Sequence, residues 1–193
     1  MAVDLFKDPT LDQLIAQIVA DMPKIKLSQL NVEPYEVRPG YVIERFHFPA
    51  TSGEYGSAIR AAVEPIAERA EALGCNANLF TALYEAILNG HQHGNKLDPE
   101  KEVVVAYKID SHSAEIAIID QGGEVNPAFI PFIFKHRRED TQKSFINWYD
   151  YSKLQKPGTN NGTGTSFMHT YVDNVQYFKS EEGGLVVHLT KEW

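Results

Sequence analysis

Residues 82–95, ALYEAILNGHQHGN, hold several side chains with chemical potential in one short helical stretch. Glu85, Asn89 and His93 recur every four residues, and on an α-helix such a set drifts by only about 40° per step. The spacing therefore predicts one polar stripe that carries a carboxylate, a carboxamide and an imidazole, and a stripe of this kind on its own is by default a solvated face. His91 falls among the apolar residues instead, so we expect it to be a partly buried histidine with a satisfied ring.

The pair His91 and His93 also raises the alternative of a metal hydrolase, since histidine is a common zinc ligand. Side chains two positions apart on a helix diverge by about 200°, which is poor geometry for chelation. A metal hydrolase is therefore a less favoured hypothesis than a function that uses the polar stripe.

Two later stretches place glycines where a ligand could approach the backbone. IIDQGG, residues 118–123, puts Asp120 at the end of an apolar strand and just before Gly122. NGTGTSFM, residues 161–168, puts a glycine-rich turn at the start of a predicted helix, where free amides and the helix dipole favour phosphate. Either stretch alone is a weak signal, but a helix, a strand end and a turn-to-helix junction in this order are much more specific.

The elements that must position these residues form a mixed α+β pattern. Strands are predicted over 41–48, 102–109 and 114–120, and a last hairpin over 175–180 and 185–189. A helix of about fifteen residues is expected to end at Gly74, with Pro65 kinking it. The helix that carries Glu85 follows, capped by Asn76 or Asn78, and a short helix is predicted over 166–175. Helices dominate early and strands late, which favours an α+β layer arrangement.

The three stretches, in this order, resemble the nucleotide site of the histidine-kinase-like ATPase superfamily. YEAILNGHQHGN resembles its N-box, DQGG its first glycine box, and GTGTSFMHTYVDNVQY its second glycine box with the following helix and strand. The nearest likeness is to the anti-sigma-factor serine/threonine kinases. The resemblance implies a two-layer α/β sandwich of the Bergerat ATP-binding type, with a mixed, mostly antiparallel sheet and helices on one face.

The resemblance also implies roles for individual residues and the cofactors ATP and Mg²⁺. Glu85 would be the catalytic base, Asn89 the Mg²⁺ ligand, and Asp120 the acceptor for the adenine amino group. The other implied nucleotide-binding residues lie near the phosphates or beside the base, and they are His93, Gly122, Gly162, Thr163, Gly164 and Thr165.

The sequence departs from the family pattern in three places, one of which is the second glycine box, where Thr165 and Phe167 replace the usual aliphatic residues. Glu124 stands where the first box usually has its second glycine, so either a carboxylate faces the nucleotide or the loop is shifted by one residue. Residues 124–161, here called the lid, are longer than expected and rich in aromatic residues, so we predict an ordered cover over the nucleotide. Its basic residues are candidates to face phosphate, and they are Lys135, Arg137, Arg138, Lys143, Lys153 and Lys156.

The predicted organisation is an N-terminal helix and connector over 1–40, then an ATPase domain over 41–193. The apolar stripe of the N-terminal helix, residues 11–22, must pack on its own domain, on a second copy in a homodimer, or on a partner.

Composition narrows the class of protein. The net charge of −8 argues against direct binding of nucleic acid, and no apolar run predicts a membrane span. The single cysteine, Cys75, permits no internal disulfide, so we expect a cytoplasmic protein.

The leading functional hypothesis is an ATP- and Mg²⁺-dependent serine/threonine protein kinase. It would bind and phosphorylate a regulatory partner, either a sigma factor or an anti-anti-sigma-like protein. The alternative is an ATP-binding regulatory or scaffold module without phosphotransfer, which Glu124 and the irregular first box favour.

Overall fold

A computed structural model describes residues 21–136, 145–156 and 161–193. The described strands, in chain order, are β1 (Ile25–Lys26), β2 (Val42–His47), β3 (Glu102–Ile109), β4 (Ser113–Ile119), β5 (Glu124–Val125), β6 (Asn174–Lys179) and β7 (Leu185–Glu192). The described helices are α1 (Ser52–Glu71), α2 (Asn78–Asn89), α3 (Phe129–His136), α4 (Trp148–Ser152) and α5 (Gly164–Tyr171). Short turns of 3₁₀-helix and π-helix span Leu27–Gln29 and Gly90–Gly94. The predicted N-terminal helix over 11–22 lies almost wholly outside the described residues.

Five strands form the central sheet in the order β2-β3-β4-β7-β6, and every neighbouring pair is antiparallel. The β3–β4 hairpin turns where Asp110 accepts hydrogen bonds from the backbone N–H groups of His112 and Ser113. Such a side-chain turn needs no glycine. The apolar runs and the turn residues between them located β3 and β4 within about a residue at each end.

The helical layer packs on one face of the sheet. Apolar residues of α1 and α2 recur at helical spacing and are fully buried against strand residues such as Val105 and Ile116. Burying one such side chain contributes about 1.5–3 kcal/mol, so the shared core is the main source of stability for the layer. The predicted two-layer α/β sandwich is confirmed.

Helix α1 is longer than the sequence indicated. It runs for 20 residues from Ser52, because the carbonyl of Thr51 already accepts from the N–H groups of Glu54 and Tyr55. Pro65 lies inside this helix rather than at its end. Helix α2 begins at Asn78, whose backbone N–H donates to the Asn76 side chain at 3.1 Å, so Asn76 satisfies one of the first amides.

The connector before β2 folds onto the same body. Tyr35 N–H donates to the carbonyl of Lys179, and Lys179 N–H donates to the carbonyl of Glu33, which gives a short parallel bridge beside the edge strand β6. Tyr35 and Val37 then pack on the second face of the sheet. Farther upstream, β1 pairs with β5, and Leu27 N–H donates to the carbonyl of Gly123 at 2.8 Å.

The described part of the lid contains a small aromatic core of its own. Phe132 and Tyr151 are buried together, with Phe129, Ile146 and Trp148 packed around them. The described parts of the lid are 124–136, 145–156 and 161, and its role as an ordered cover over the nucleotide stays a prediction. Among the described residues, no helix has the length and apolar character required to cross a membrane.

Candidate functional site

The N-box residues lie on a helix whose end changes geometry. Helix α2 stops at Asn89, and Gly90–Gly94 forms a π-helical turn in which Asn95 N–H donates to the carbonyl of Gly90 at 2.7 Å. The expectation that one α-helix carries the stripe as far as His93 is therefore wrong. Single π-turns of this kind often occur at functional sites.

The π-turn is held by Asn95 and by a close approach of Gly94. The buried Asn95 side chain donates to the carbonyl of Glu102 and accepts from the N–H of Gln121. A Cβ atom at Gly94 would fall onto the carboxylate of Asp120. The turn therefore brings the end of the N-box directly against the first glycine box.

Asp120 is buried at the end of the pocket formed by this contact. Its Oδ1 accepts from the backbone N–H groups of Gly122 at 2.9 Å and Leu185 at 3.0 Å. Burial raises the pKa of Asp120 to about 6, while these two hydrogen bonds act in the opposite direction. Gly122 fits because a Cβ there would come within 2.6 Å of the carbonyl oxygen of Gly94.

The second glycine box meets the N-box at the start of α5. A Cβ at Gly164 would collide with Oε2 of Glu85 and would lie 3.5 Å from Nδ2 of Asn89. Burial raises the pKa of the Glu85 carboxyl, which moves it toward the range in which a carboxylate is an effective base near neutral pH. Glu85, Asn89 and the first amide of α5 therefore converge at one point.

The lid docks on the glycine-rich turn that precedes α5. Trp148 N–H donates to the carbonyl of Gly162 at 2.7 Å, and the Asn147 side chain donates to the carbonyl of Asn161 at 2.6 Å. Gly162 has a φ of +77°, and a Cβ there would press on Tyr149 and Asn147. Only glycine suits both the conformation and the space.

These parts enclose a cavity of about 470 Å³, a size typical of small-molecule sites. Predicted site residues in its wall are Asn89, His93, Asp120, Gly162, Gly164 and Thr165. Three predicted residues stand behind the wall: Glu85, Gly122 and Thr163. Glu85 and Gly122 lie against residues of the wall, and Thr163 directly precedes α5. The roles implied for all nine residues stay predictions.

His91 and His93 lie in different environments, as expected from the sequence. His91 is fully buried between Phe48 and Tyr55, and its Nε2 donates to the carbonyl of Pro49 at 2.9 Å. His93 lines the cavity, and its pKa is lowered by burial and, to a smaller extent, by the charge of Lys24. Within the described ranges, no three His, Cys, Asp or Glu residues form a metal-binding group.

Glu124 lies in the cavity wall and is paired with Lys96. The Lys96 ammonium donates to Oε2 of Glu124 at 2.9 Å, and it is the main cause that holds the pKa of Glu124 below its usual range. Lys96 therefore offsets the carboxylate that the sequence placed in the first glycine box. The two alternatives for this position, a carboxylate that disfavours nucleotide and a loop shifted by one residue, both stay predictions.

Other wall residues were not singled out from sequence as binding residues. Lys24 comes from the connector and Tyr177 from β6, and a single sequence gives no signal that either would reach the site. Phe129, Trp148 and Tyr149 come from the lid, which the aromatic content did indicate. The proposed phosphate-facing residues Lys135, Lys153 and Lys156 are absent from the described wall, and Arg137, Arg138 and Lys143 lie outside the described residues.

The cavity suits an adenine nucleotide with its metal. Asp120 supplies a buried acceptor at one end, whereas the glycine turn and the start of α5 supply amides at another part of the wall. Asn89 offers one oxygen ligand, and Mg²⁺ commonly takes one or two protein ligands and completes its shell with phosphates and water. These residues would hold the nucleotide and the cation.

Fold and cavity together define a nucleotide-binding α/β sandwich. Residues 48–191 match the family model described as histidine kinase-like ATPase domain. The chain therefore belongs to the histidine kinase-like ATPase family, which implies that the domain binds ATP. The comparison with curated proteins found no match for the chain.

Proposed function

We propose that the protein is an ATP- and Mg²⁺-dependent serine/threonine protein kinase of the anti-sigma-factor type. It binds a regulatory protein in the cytoplasm, a sigma factor or an anti-anti-sigma-like protein, and phosphorylates it. The observation that carries the proposal is the convergence of Glu85 and Asn89 on the N-terminus of α5 at Gly164. A base, a cation ligand and phosphate-binding amides are the parts that phosphoryl transfer requires.

Each part has a defined task in this proposal. Glu85 accepts the proton of the attacking hydroxyl, which its raised pKa favours at neutral pH. Asn89 would hold Mg²⁺, which would supply positive charge to the phosphates. The amides of the glycine turn position the γ-phosphate. The lid excludes water, which favours transfer to the protein acceptor over hydrolysis of ATP.

The test is transfer of labelled phosphate from ATP to candidate acceptor proteins. We expect Glu85→Gln to lower transfer by about 100-fold or more, the usual contribution of a general base, while ATP affinity is retained. Glu64→Gln, an exposed change on α1, is the matched control and should leave transfer unchanged. Undiminished transfer by Glu85→Gln would refute the role of Glu85 as base.

The second candidate is an ATP-binding regulatory module without phosphotransfer. It is favoured by Glu124, which puts a carboxylate in the wall near the bound nucleotide, and by Glu85, which stands behind the wall rather than in it. Tight ATP binding without transfer to any acceptor would favour this module over the kinase.

A further inference from the structure

The strap, defined here as residues 24–29, fastens the N-terminal connector to the first glycine box. Ile25 and Lys26 pair with Val125 and Glu124, and Leu27 is 2% exposed with its N–H donated to the carbonyl of Gly123. A backbone pairing and a buried leucine fix the strap on the loop that follows Asp120. The strap lies upstream of residues 48–191, so the family match does not include it.

This attachment brings Lys24 into the wall of the cavity. Lys24 lines the cavity beside Val125 and Asn126, whereas its neighbour Lys26 does not. The charge of Lys24 is near enough to affect two other wall residues, since it contributes to lowering the pKa of both His93 and Glu124.

The charges of the wall show why this ammonium matters. Two carboxylates line the cavity, Asp120 and Glu124, and both would repel the phosphates of a nucleotide. Lys96 is engaged with Glu124. The ion pairs of the described residues do not include Lys24, and its positive charge in the wall offsets the second carboxylate.

We propose that Lys24 binds the phosphate chain of the nucleotide, so that the strap supplies part of the binding site. This inference rests on the proposed ATP-binding function. A charge-assisted contact between an ammonium and phosphate is stronger than a neutral hydrogen bond, and it is absent for a ligand that lacks phosphate. The affinity contributed by Lys24 should therefore depend on the charge of the ligand.

The experiment is calorimetric titration with ATP and with adenosine. We expect Lys24→Met to raise the Kd for ATP by about five- to tenfold, the effect of losing one charge-assisted contact, and to leave the Kd for adenosine nearly unchanged. Lys26→Met is the matched control, since it removes the same charge from the same strap outside the cavity, and it should change neither Kd. Lys24→Arg should retain most of the ATP affinity.

The outcomes separate this inference from the proposed function. If the unmodified protein binds ATP and Lys24→Met leaves the Kd unchanged, the role of Lys24 is refuted and the proposed function stands. Equal weakening of ATP and adenosine by Lys24→Met would also refute it, because a structural effect would not distinguish the ligands. If the unmodified protein binds no adenine nucleotide, both proposals fail.

Discussion

At the scale of single residues, the buried carboxyl of Asp120 lowers stability at neutral pH, although it is the predicted acceptor for adenine. The pKa of its buried carboxyl is raised from 3.8 to about 6. In the unfolded chain the group ionises at lower pH, so the folded state binds more protons between about pH 4 and pH 6. Its contribution to stability is fully present below pH 4 and is lost as pH rises through 6. A shift of this size corresponds to about 3 kcal/mol.

Asp120→Asn should therefore stabilise the ligand-free protein at neutral pH. We expect the free energy of unfolding to rise by about 1–3 kcal/mol at pH 7.5 and to change little at pH 3.5, because the amide cannot ionise. Urea denaturation at the two pH values checks this. An equal effect at both would contradict the assigned burial of charge.

The same substitution should impair recognition of adenine. Oδ1 accepts from two backbone N–H groups, so an asparagine there would turn its NH₂ group to the cavity, where an adenine amino group would meet another donor. We expect the preference for ATP over GTP to fall by about tenfold or more, as for other mismatched buried donors. Competition titrations with both nucleotides measure it, and an unchanged preference would exclude Asp120 from base recognition.

Gly164 tests the convergence on which the proposed kinase depends. A Cβ at this position would meet Glu85, so Gly164→Ala should destabilise the fold by about 1–3 kcal/mol and weaken ATP binding. Gly53→Ala is the control, because it lies in α1 with open space around its Cβ position and should be neutral or slightly stabilising. Wild-type melting and binding by Gly164→Ala would contradict the geometry of the site.

At the scale of elements, Ser166 couples the lid to α5. Its Oγ lies 2.9 Å from Ile146 N, which donates to it, and 2.7 and 2.8 Å from Ile146 O and His136 Nε2. His136 Nδ1 donates to the carbonyl of Phe132 at 2.8 Å, so Nε2 is an acceptor in the neutral ring, and the one proton of the Ser166 hydroxyl is donated to either Ile146 O or His136 Nε2. A single buried hydroxyl thus joins α3, α5 and the chain before α4.

Removing this hydroxyl should loosen the lid. We expect Ser166→Ala to lower the free energy of unfolding by about 1–3 kcal/mol, since it leaves buried polar partners unpaired, and to speed proteolysis within 124–161. Ser57→Ala, which removes an exposed hydroxyl on α1, should change stability by less than about 0.5 kcal/mol. Equal proteolysis of both variants would show that Ser166 does not restrain the lid.

The elements also show what a single sequence can predict. Strands β3 and β4 are short apolar runs joined by the turn residues DSHS, and the apolar spacing of α2 marks one buried face, so local pattern was sufficient for both. The π-turn was missed because its cause is tertiary: Gly94 must approach Asp120, and Asn95 must bridge two distant backbone groups. Nothing in the local pattern of Gly90–Gly94 encodes those contacts.

At the scale of the whole molecule, one part of the candidate site was predictable from the sequence and another part was not. The glycine boxes were recognisable because close backbone approach requires glycine there, and the N-box was recognisable because its polar residues recur every four positions. Lys24 and Lys96 were missed because their place in the cavity depends on the β1–β5 pairing and on a turn with positive φ at Lys96. Such contributions arise only when distant segments meet.

The strap therefore links folding of the connector to the binding site. Leu27 is its buried anchor, so Leu27→Ala should cost about 2–5 kcal/mol, the usual range for truncating a buried leucine. It should also weaken ATP binding, because the strap holds Lys24 and contacts the backbone of Gly123. Urea denaturation and calorimetry on the same preparation measure the two effects.

Leu73→Ala, at a leucine that is 42% exposed, is the control and should alter neither stability nor ATP affinity. Reduced stability of Leu27→Ala with unchanged affinity for ATP would show that the strap stabilises the fold without serving the site.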